Sequence, residues 1–314
     1  MKSLLRFAPV LILILLVIGV AYFQIKSGNF KLRNPKPSAV ATVIPSETPS
    51  PSPTLIPTTT PIVTISPVVT RTPQPVSGPP GSGLSTINVA TEKGNFTATV
   101  LSLDLSNTKV ITDTANDSDC TSNCPVLSLQ NFITRNNGYA GVNGTYFCPA
   151  EPAYSSCGSN NSYDFPVYNT RLMHWINQGN LSWNGRAMFY VDGGGAHYLQ
   201  NANSFSGGLT AGLVNYPGLL DSGNVQIDDN QSGLSDKQKS VGTKVGIGVR
   251  GVNNIMVVVA LNVNMQQFAY VFKSLGATGA LNLDTGGSTA LYYGGHYVYG
   301  PGRNIPNAIV FTSK

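Results

Sequence analysis

Between residues 35 and 80 the chain meets a proline every few positions, Pro45, Pro49, Pro51, Pro53, Pro57, Pro61, Pro67, Pro73 and Pro75 among them, interleaved with Thr, Ser and Val. Proline fixes φ and removes a backbone donor, so so dense a run neither propagates a helix nor pairs as an interior strand. It predicts polyproline II, which at ~3.1 Å per residue makes a semi-rigid spacer on the order of 100 Å long. Folding is thereby confined to the roughly 230 residues that follow, enough for one sizeable domain. The expected organisation is a membrane anchor or signal segment at 1–34, a disordered Pro/Thr/Ser-rich linker at 35–84, and one folded domain at 85–314.

The apolar run at 8–21, preceded by Lys2 and Arg6, approaches the ~20 residues needed to cross a bilayer when extended to Ile25. It predicts a single-pass transmembrane helix with an extracytoplasmic domain. Cleavage after Ala21, with Gly19 and Ala21 small, would instead give a secreted protein. Four cysteines, Cys120, Cys124, Cys148 and Cys157, suit two local disulfides in an exported domain. With no histidine nearby, their Cys-x3-Cys and Cys-x8-Cys spacings argue against zinc.

The net charge of +5 belongs to the N-terminal segment. Seven of the 19 Lys and Arg lie at or before Arg71, leaving 12 against 13 acids in the domain. A near-neutral domain lacks the basic face of a nucleic-acid binder. Within it the charges are uneven: beyond Asp236 the only acid is Asp284, among Lys237, Lys239, Lys244, Arg250, Lys273, Arg303 and Lys314.

The domain reads as α+β, a central mixed sheet with flanking helices. Strands are expected at 86–91, 96–105, 139–142, 187–191, 245–249, 255–261 and 279–283, from alternating or short apolar runs. Ser128 is placed to cap a helix over 129–135. Asn264 suits the N-cap of a second at 265–275, where Phe268, Val271, Phe272 and Leu275 share a face and Gly276 ends it. Strand 255–261, this helix and strand 279–283 then suit a crossover unit that delivers Asp284 to a sheet edge, where ligands gather in α/β proteins.

The stretch Leu283-Asp284-Thr285-Gly286-Gly287-Ser288 ends an apolar strand in an acid and a glycine turn. Such glycines let backbone amides approach an anion; the bland alternative is a turn stabilised by its own Asp and Ser. Asn143-Gly144-Thr145-Tyr146-Phe147 ends another strand, with Asn143 able to bond a sugar hydroxyl and Tyr146 able to stack on a pyranose. Lys244 and Arg303 each precede a strand and would complete a phosphate clamp. Asp192-Gly193-Gly194-Gly195 is read as a turn. His174, His197 and His296 are the only histidines, and a triad of Ser288, His296 and Asp284 lacks a nucleophile elbow.

Taken together these blocks resemble the phosphodiester glycosidase family. Its Asn-Gly-Gly-aromatic-Phe block is similar to residues 143–147, its Arg-Thr-Ala-Ile-Gly block to Lys244-Val245-Gly246-Ile247-Gly248, and its Leu-Asp-Gly-Gly-Gly-Ser block to 283–288. Its closing Arg-x-(Val/Ile)-x-Asn-Ala is similar to Arg303-Asn304-Ile305-Pro306-Asn307-Ala308. The resemblance covers roughly residues 85–312. It departs at Lys244, where the family has arginine, and at Thr145 and Thr285, where it has glycine. It implies a hydrolase of glycosyl-1-phosphodiesters in envelope or extracellular polysaccharide metabolism, with a carbohydrate phosphodiester as partner. The expected catalytic residues are Asp284, Lys244 and Arg303, with Asn143, Tyr146, Asn282, Gly286, Gly287 and Ser288 binding substrate. No cofactor is expected, although Asp284 and nearby carbonyls could hold calcium or another divalent cation. The competing expectation is a non-catalytic module that binds acidic or phosphate-bearing wall polysaccharide on the same surface.

Overall fold

The apolar alternation of the long strands has to bury two faces, and the fold does so with a helix on one side and two further sheets on the other. The computed structural model describes residues 78–314 except 152, 156, 184, 231 and 232. A seven-stranded sheet runs in the order Gly83–Thr91, Gly94–Asp104, Asn254–Val263, Gly242–Val249, Gly279–Asn282, Gly218–Asp221 and Asn224–Val225. A five-stranded sheet orders His296–Tyr299, Leu291–Tyr293, Ala140–Asn143, Asn307–Ser313 and Thr108–Thr114. A second five-stranded sheet orders His174–Ile176, Val167–Asn169, Ala211–Asn215, Ala187–Asp192 and Gly195–Leu199.

Successive residues of one strand serve opposite cores, as period 2 requires. Leu101, Val257, Ile247 and Leu281 face the two smaller sheets, burying against Val142, Leu213, Ile309 and Phe311. Val100, Val258 and Ala280 face the helix Met265–Ser274 through Phe268, Val271 and Phe272. Gly246 and Gly248 let that helix seat closely, because a Cβ on Gly248 would lie 2.8 Å from the Phe272 ring. The helix begins in a capping box of Asn264 with Gln267, and Gly276 follows its end at φ +79. Leu129–Arg135 forms the other helix expected from sequence, with the Ser128 hydroxyl accepting from the Asn131 N–H.

The expectation of an α+β fold with a central mixed sheet and flanking helices is corrected to a mostly β fold of three sheets. Every paired strand described is antiparallel. The crossover is present in altered form. Asn254–Val263 and Gly279–Asn282 both run antiparallel to Gly242–Val249, which lies between them, so they are parallel to each other without touching. The face that an α/β fold would cover with more helices is covered here by sheets, most of whose strands are only three to five residues long and too short to show a period.

The expected transmembrane helix is also corrected. Among the described residues no helix is long and apolar enough to cross a membrane. The run at 8–21 that prompted the expectation lies outside the described residues, as does nearly all of the 35–84 tract. The described residues give no support to membrane anchoring, to the membrane as a partner or to a single-pass localisation. Both local disulfides are formed, Cys120 with Cys124 and Cys148 with Cys157, as suits an oxidising compartment.

Candidate active site

Strand ends from all three sheets meet beneath one cleft, and buried asparagines join them. Asn143 closes its strand with Nδ2 donating to the Asp284 carbonyl at 2.7 Å and Oδ1 accepting from the Ala290 N–H at 3.0 Å. The Asp284 N–H in turn donates to the Gly144 carbonyl at 2.9 Å. Asn215, at the end of its strand in the third sheet, donates to the Asn282 carbonyl at 2.8 Å and accepts from the Tyr146 N–H at 3.2 Å. Asn307 accepts from the Thr145 N–H and donates to the Thr145 hydroxyl, both at 2.9 Å. Gly144 is glycine because a Cβ there would overlap the Asn307 amide. Asn282 donates to the Tyr146 hydroxyl at 2.8 Å and to the Tyr216 carbonyl at 3.3 Å. All four asparagines are 0–1% exposed. A side-chain amide serves here because it both donates and accepts: Asn143 and Asn215 each satisfy one carbonyl and one N–H away from water.

Above this floor lies a cleft of about 850 Å³. Asp284, Lys244, Arg303, Tyr146, Gly286, Gly287 and Ser288, all expected site residues, line it. Asn143 and Asn282 do not; they sit beneath, holding the loops. Lining residues that sequence reasoning missed are Tyr154, Asp236 and Lys237. Tyr154 lay in a Ser/Asn/Gly-rich loop with no pattern to single it out. Lys237 was visible only as one cation among seven. Asp221, at the end of Gly218–Asp221, pairs with Asn224 and does not line the cleft.

Asp284 is 7% exposed, and burial pushes its carboxyl up to about 7 against a hydrogen bond from the Ser288 hydroxyl, the charge of Arg303 and the Thr285 N–H. Desolvation disfavours the charged form more than these partners favour it. Tyr146 is pushed up to about 12 by burial and by the Asp284 charge, so it remains a phenol. Lys244 is 3% exposed; burial lowers its ammonium, which donates to the Lys237 carbonyl at 3.1 Å. Arg303 is fixed through its own N–H to the Gly287 carbonyl at 2.9 Å. Its guanidinium lies where a Cβ on Gly287 would be, so this glycine is required for close approach. Thr285 adopts an ordinary extended φ of −111, which explains how threonine stands where a glycine would be expected. Among the described residues no group of three or more His, Cys, Asp or Glu side chains gathers in a way that could hold a metal ion.

A cleft with one buried acid of near-neutral pKa, three cations and a glycine turn can hold an anion beside a proton-transferring carboxyl. The sequence profile of the phosphodiester glycosidase family matches residues 136–312, more than half the chain, and spans Asp284, Lys244 and Arg303. The chain belongs to the phosphodiester glycosidase family.

Structural relatives agree at the level of fold. The catalytic domain of zebrafish N-acetylglucosamine-1-phosphodiester alpha-N-acetylglucosaminidase, described as auto-inhibited by its pro-peptide, superposes with a TM-score of 0.57 at 15% identity. That match covers 77% of this chain and 86% of the zebrafish chain. A hypothetical protein from Synechocystis gives a TM-score of 0.54 at 15% identity, covering 74% of this chain. The present chain spans 62% of that protein's length. No curated protein matches the sequence significantly. The family match begins at residue 136, so the long hairpin Gly83–Thr91 with Gly94–Asp104 lies outside it, although it forms one edge of the largest sheet.

Proposed function

We propose that this phosphodiester glycosidase, with residues 85–314 as its catalytic domain, hydrolyses the sugar C1–O bond of glycosyl-1-phosphodiesters. The observation that carries this reading is Asp284, buried at a carboxyl value of about 7 in the same cleft as Lys237, Lys244 and Arg303. The three cations bind the phosphate, which is the leaving group. Departure leaves positive charge at C1, and the carboxylate of Asp284 stabilises that charge.

A general base works best with a pKa near the working pH. In the reaction proposed, water attacks C1 and its proton passes to Asp284. The C1–O electron pair leaves with the phosphate monoester, a weak base that needs little protonation. The amides of Gly286 to Ser288 and the Arg303 guanidinium face the departing oxygens. Asn143 acts at one remove, by fixing the Asp284 main chain. Tyr146, kept protonated, offers the sugar a ring edge and an O–H.

The test is turnover of a panel of alkyl glycosyl-1-phosphates in 18O-labelled water. The expected result is free sugar carrying the label at C1, with unlabelled phosphate monoester, and loss of turnover in Asp284→Ala. Label in the phosphate, or activity that survives Asp284→Ala, would refute the assignment. Tight binding with no turnover of any member would favour a recognition module instead.

A further inference from the structure

The loop between Cys148 and Cys157 is closed by their disulfide and rests on the Cys148 N–H donating to the Ser162 carbonyl at 2.8 Å. It delivers Tyr154 into the cleft that Asp284 and Gly286–Ser288 line. The Lys237 ammonium stands 3.6 Å from the centroid of the Tyr154 ring. Arg303 lines the same cleft, and the charges of Lys237 and Arg303 both act on the Tyr154 hydroxyl. Burial pushes this phenol up, but those two cations outweigh it, and the net displacement is downward. Ammonium and guanidinium groups are donors only. Neither can accept the Tyr154 O–H, which must find its acceptor elsewhere. A phenol polarised by two cations is a strengthened donor, and the acceptor it suits is an anionic oxygen.

We propose that Tyr154 is a further substrate-binding residue, whose hydroxyl donates to a phosphate oxygen that Lys237 and Arg303 hold, and that the Cys148–Cys157 bridge is the clamp that keeps it there. The proposal rests on the phosphodiester reading for its substrate and not for its anion. Tyr154 would then help this cleft discriminate a phosphate-linked sugar from a neutral glycoside. The Gly287–Arg303 contact matters to the same end, because it fixes one of the two cations that hold the phosphate.

Tyr154→Phe keeps the ring over Lys237 and removes the hydroxyl alone. Inorganic phosphate binding, measured by titration calorimetry, is expected to weaken on the order of tenfold, as for loss of a hydrogen bond to a charged partner. On a glycosyl-1-phosphodiester KM should rise by a similar factor while kcat changes little. Paired Cys148→Ser and Cys157→Ser substitutions, which free the loop but retain Tyr154, should weaken phosphate binding in the same direction. Unchanged phosphate affinity in Tyr154→Phe overturns the proposal, even if the wild type hydrolyses phosphodiesters. Weakened phosphate affinity in a protein that hydrolyses none of them supports Tyr154 and refutes only the hydrolase reading.

Discussion

Asp284→Asn should make the protein more stable at pH 8 and leave it nearly unchanged at pH 4. The native carboxyl titrates near 7 against a reference of 3.8, so between those values the folded state holds a proton that the unfolded state has released. Stability conferred by the neutral group therefore falls as pH rises from about 4 to about 7. At one pKa unit per 1.36 kcal/mol, the full interval corresponds to on the order of 4 kcal/mol, an upper bound because the amide must still satisfy Ser288 and Thr285. The side chain is 7% exposed, so solvent screening removes little of it. Urea denaturation of wild type and variant at unit steps from pH 4 to pH 8 reads the difference directly, and other titrating groups cancel in it. The gap should open with pH and level off above about 7. A gap that stays constant across this range would show that Asp284 is not a desolvated carboxyl, and the base role would fall with it.

The pH profile of kcat/KM should rise through about 7 as Asp284 ionises, and the limb should vanish in any residual activity of Asp284→Asn. Gly287→Ala should lower kcat/KM at least tenfold by displacing the Arg303 guanidinium, with the circular dichroism spectrum and melting temperature close to wild type. Asn143→Ala strands the Asp284 carbonyl and the Ala290 N–H, each at a cost of about 1–3 kcal/mol, so chemical denaturation should show a loss of several kcal/mol together with lost activity. Gly248→Ala forces a Cβ to within 2.8 Å of Phe272 and should cost about 1–3 kcal/mol by overpacking, measured as a fall in denaturation midpoint without effect on KM.

Much of the site was legible because charge made it so. Asp284 is the only acid beyond Asp236, set among seven cations, and it ends an apolar strand at a glycine turn. The helix at Met265–Ser274 was legible from its cap, its stripe and its terminal glycine, since all three signals are local. Of the third sheet only the strand at 187–191 was. His174–Ile176 and Val167–Asn169 are three residues each, too short to show a period, and are specified by packing against distant neighbours. Asp192-Gly193-Gly194-Gly195 was recognisable as a turn, yet nothing local said that it joins two strands of a separate sheet. Asn143 illustrates a different limit. A strand-end asparagine reads the same whether it faces a ligand or a loop, and only the partner at Asp284, 141 positions away, decides it. Tyr154 was invisible for the converse reason: its importance comes from Lys237 and Arg303, which the fold brings to it.

The asparagine floor and the loops above it are held by different means, and this bears on how such a protein can diverge. Asn143, Asn215, Asn282 and Asn307 tie the ends of strands from three sheets to one another, so a change at any of them propagates into the core. The segments carrying Tyr154 and Lys237 hang from a disulfide and a short capped turn, outside that web. Selection for a new aglycone or sugar can therefore rewrite the rim by insertion and substitution while the acid and its main-chain supports stay in place. Related chains should accordingly differ most in length between 148 and 162 and between 226 and 241, and least at the four amides.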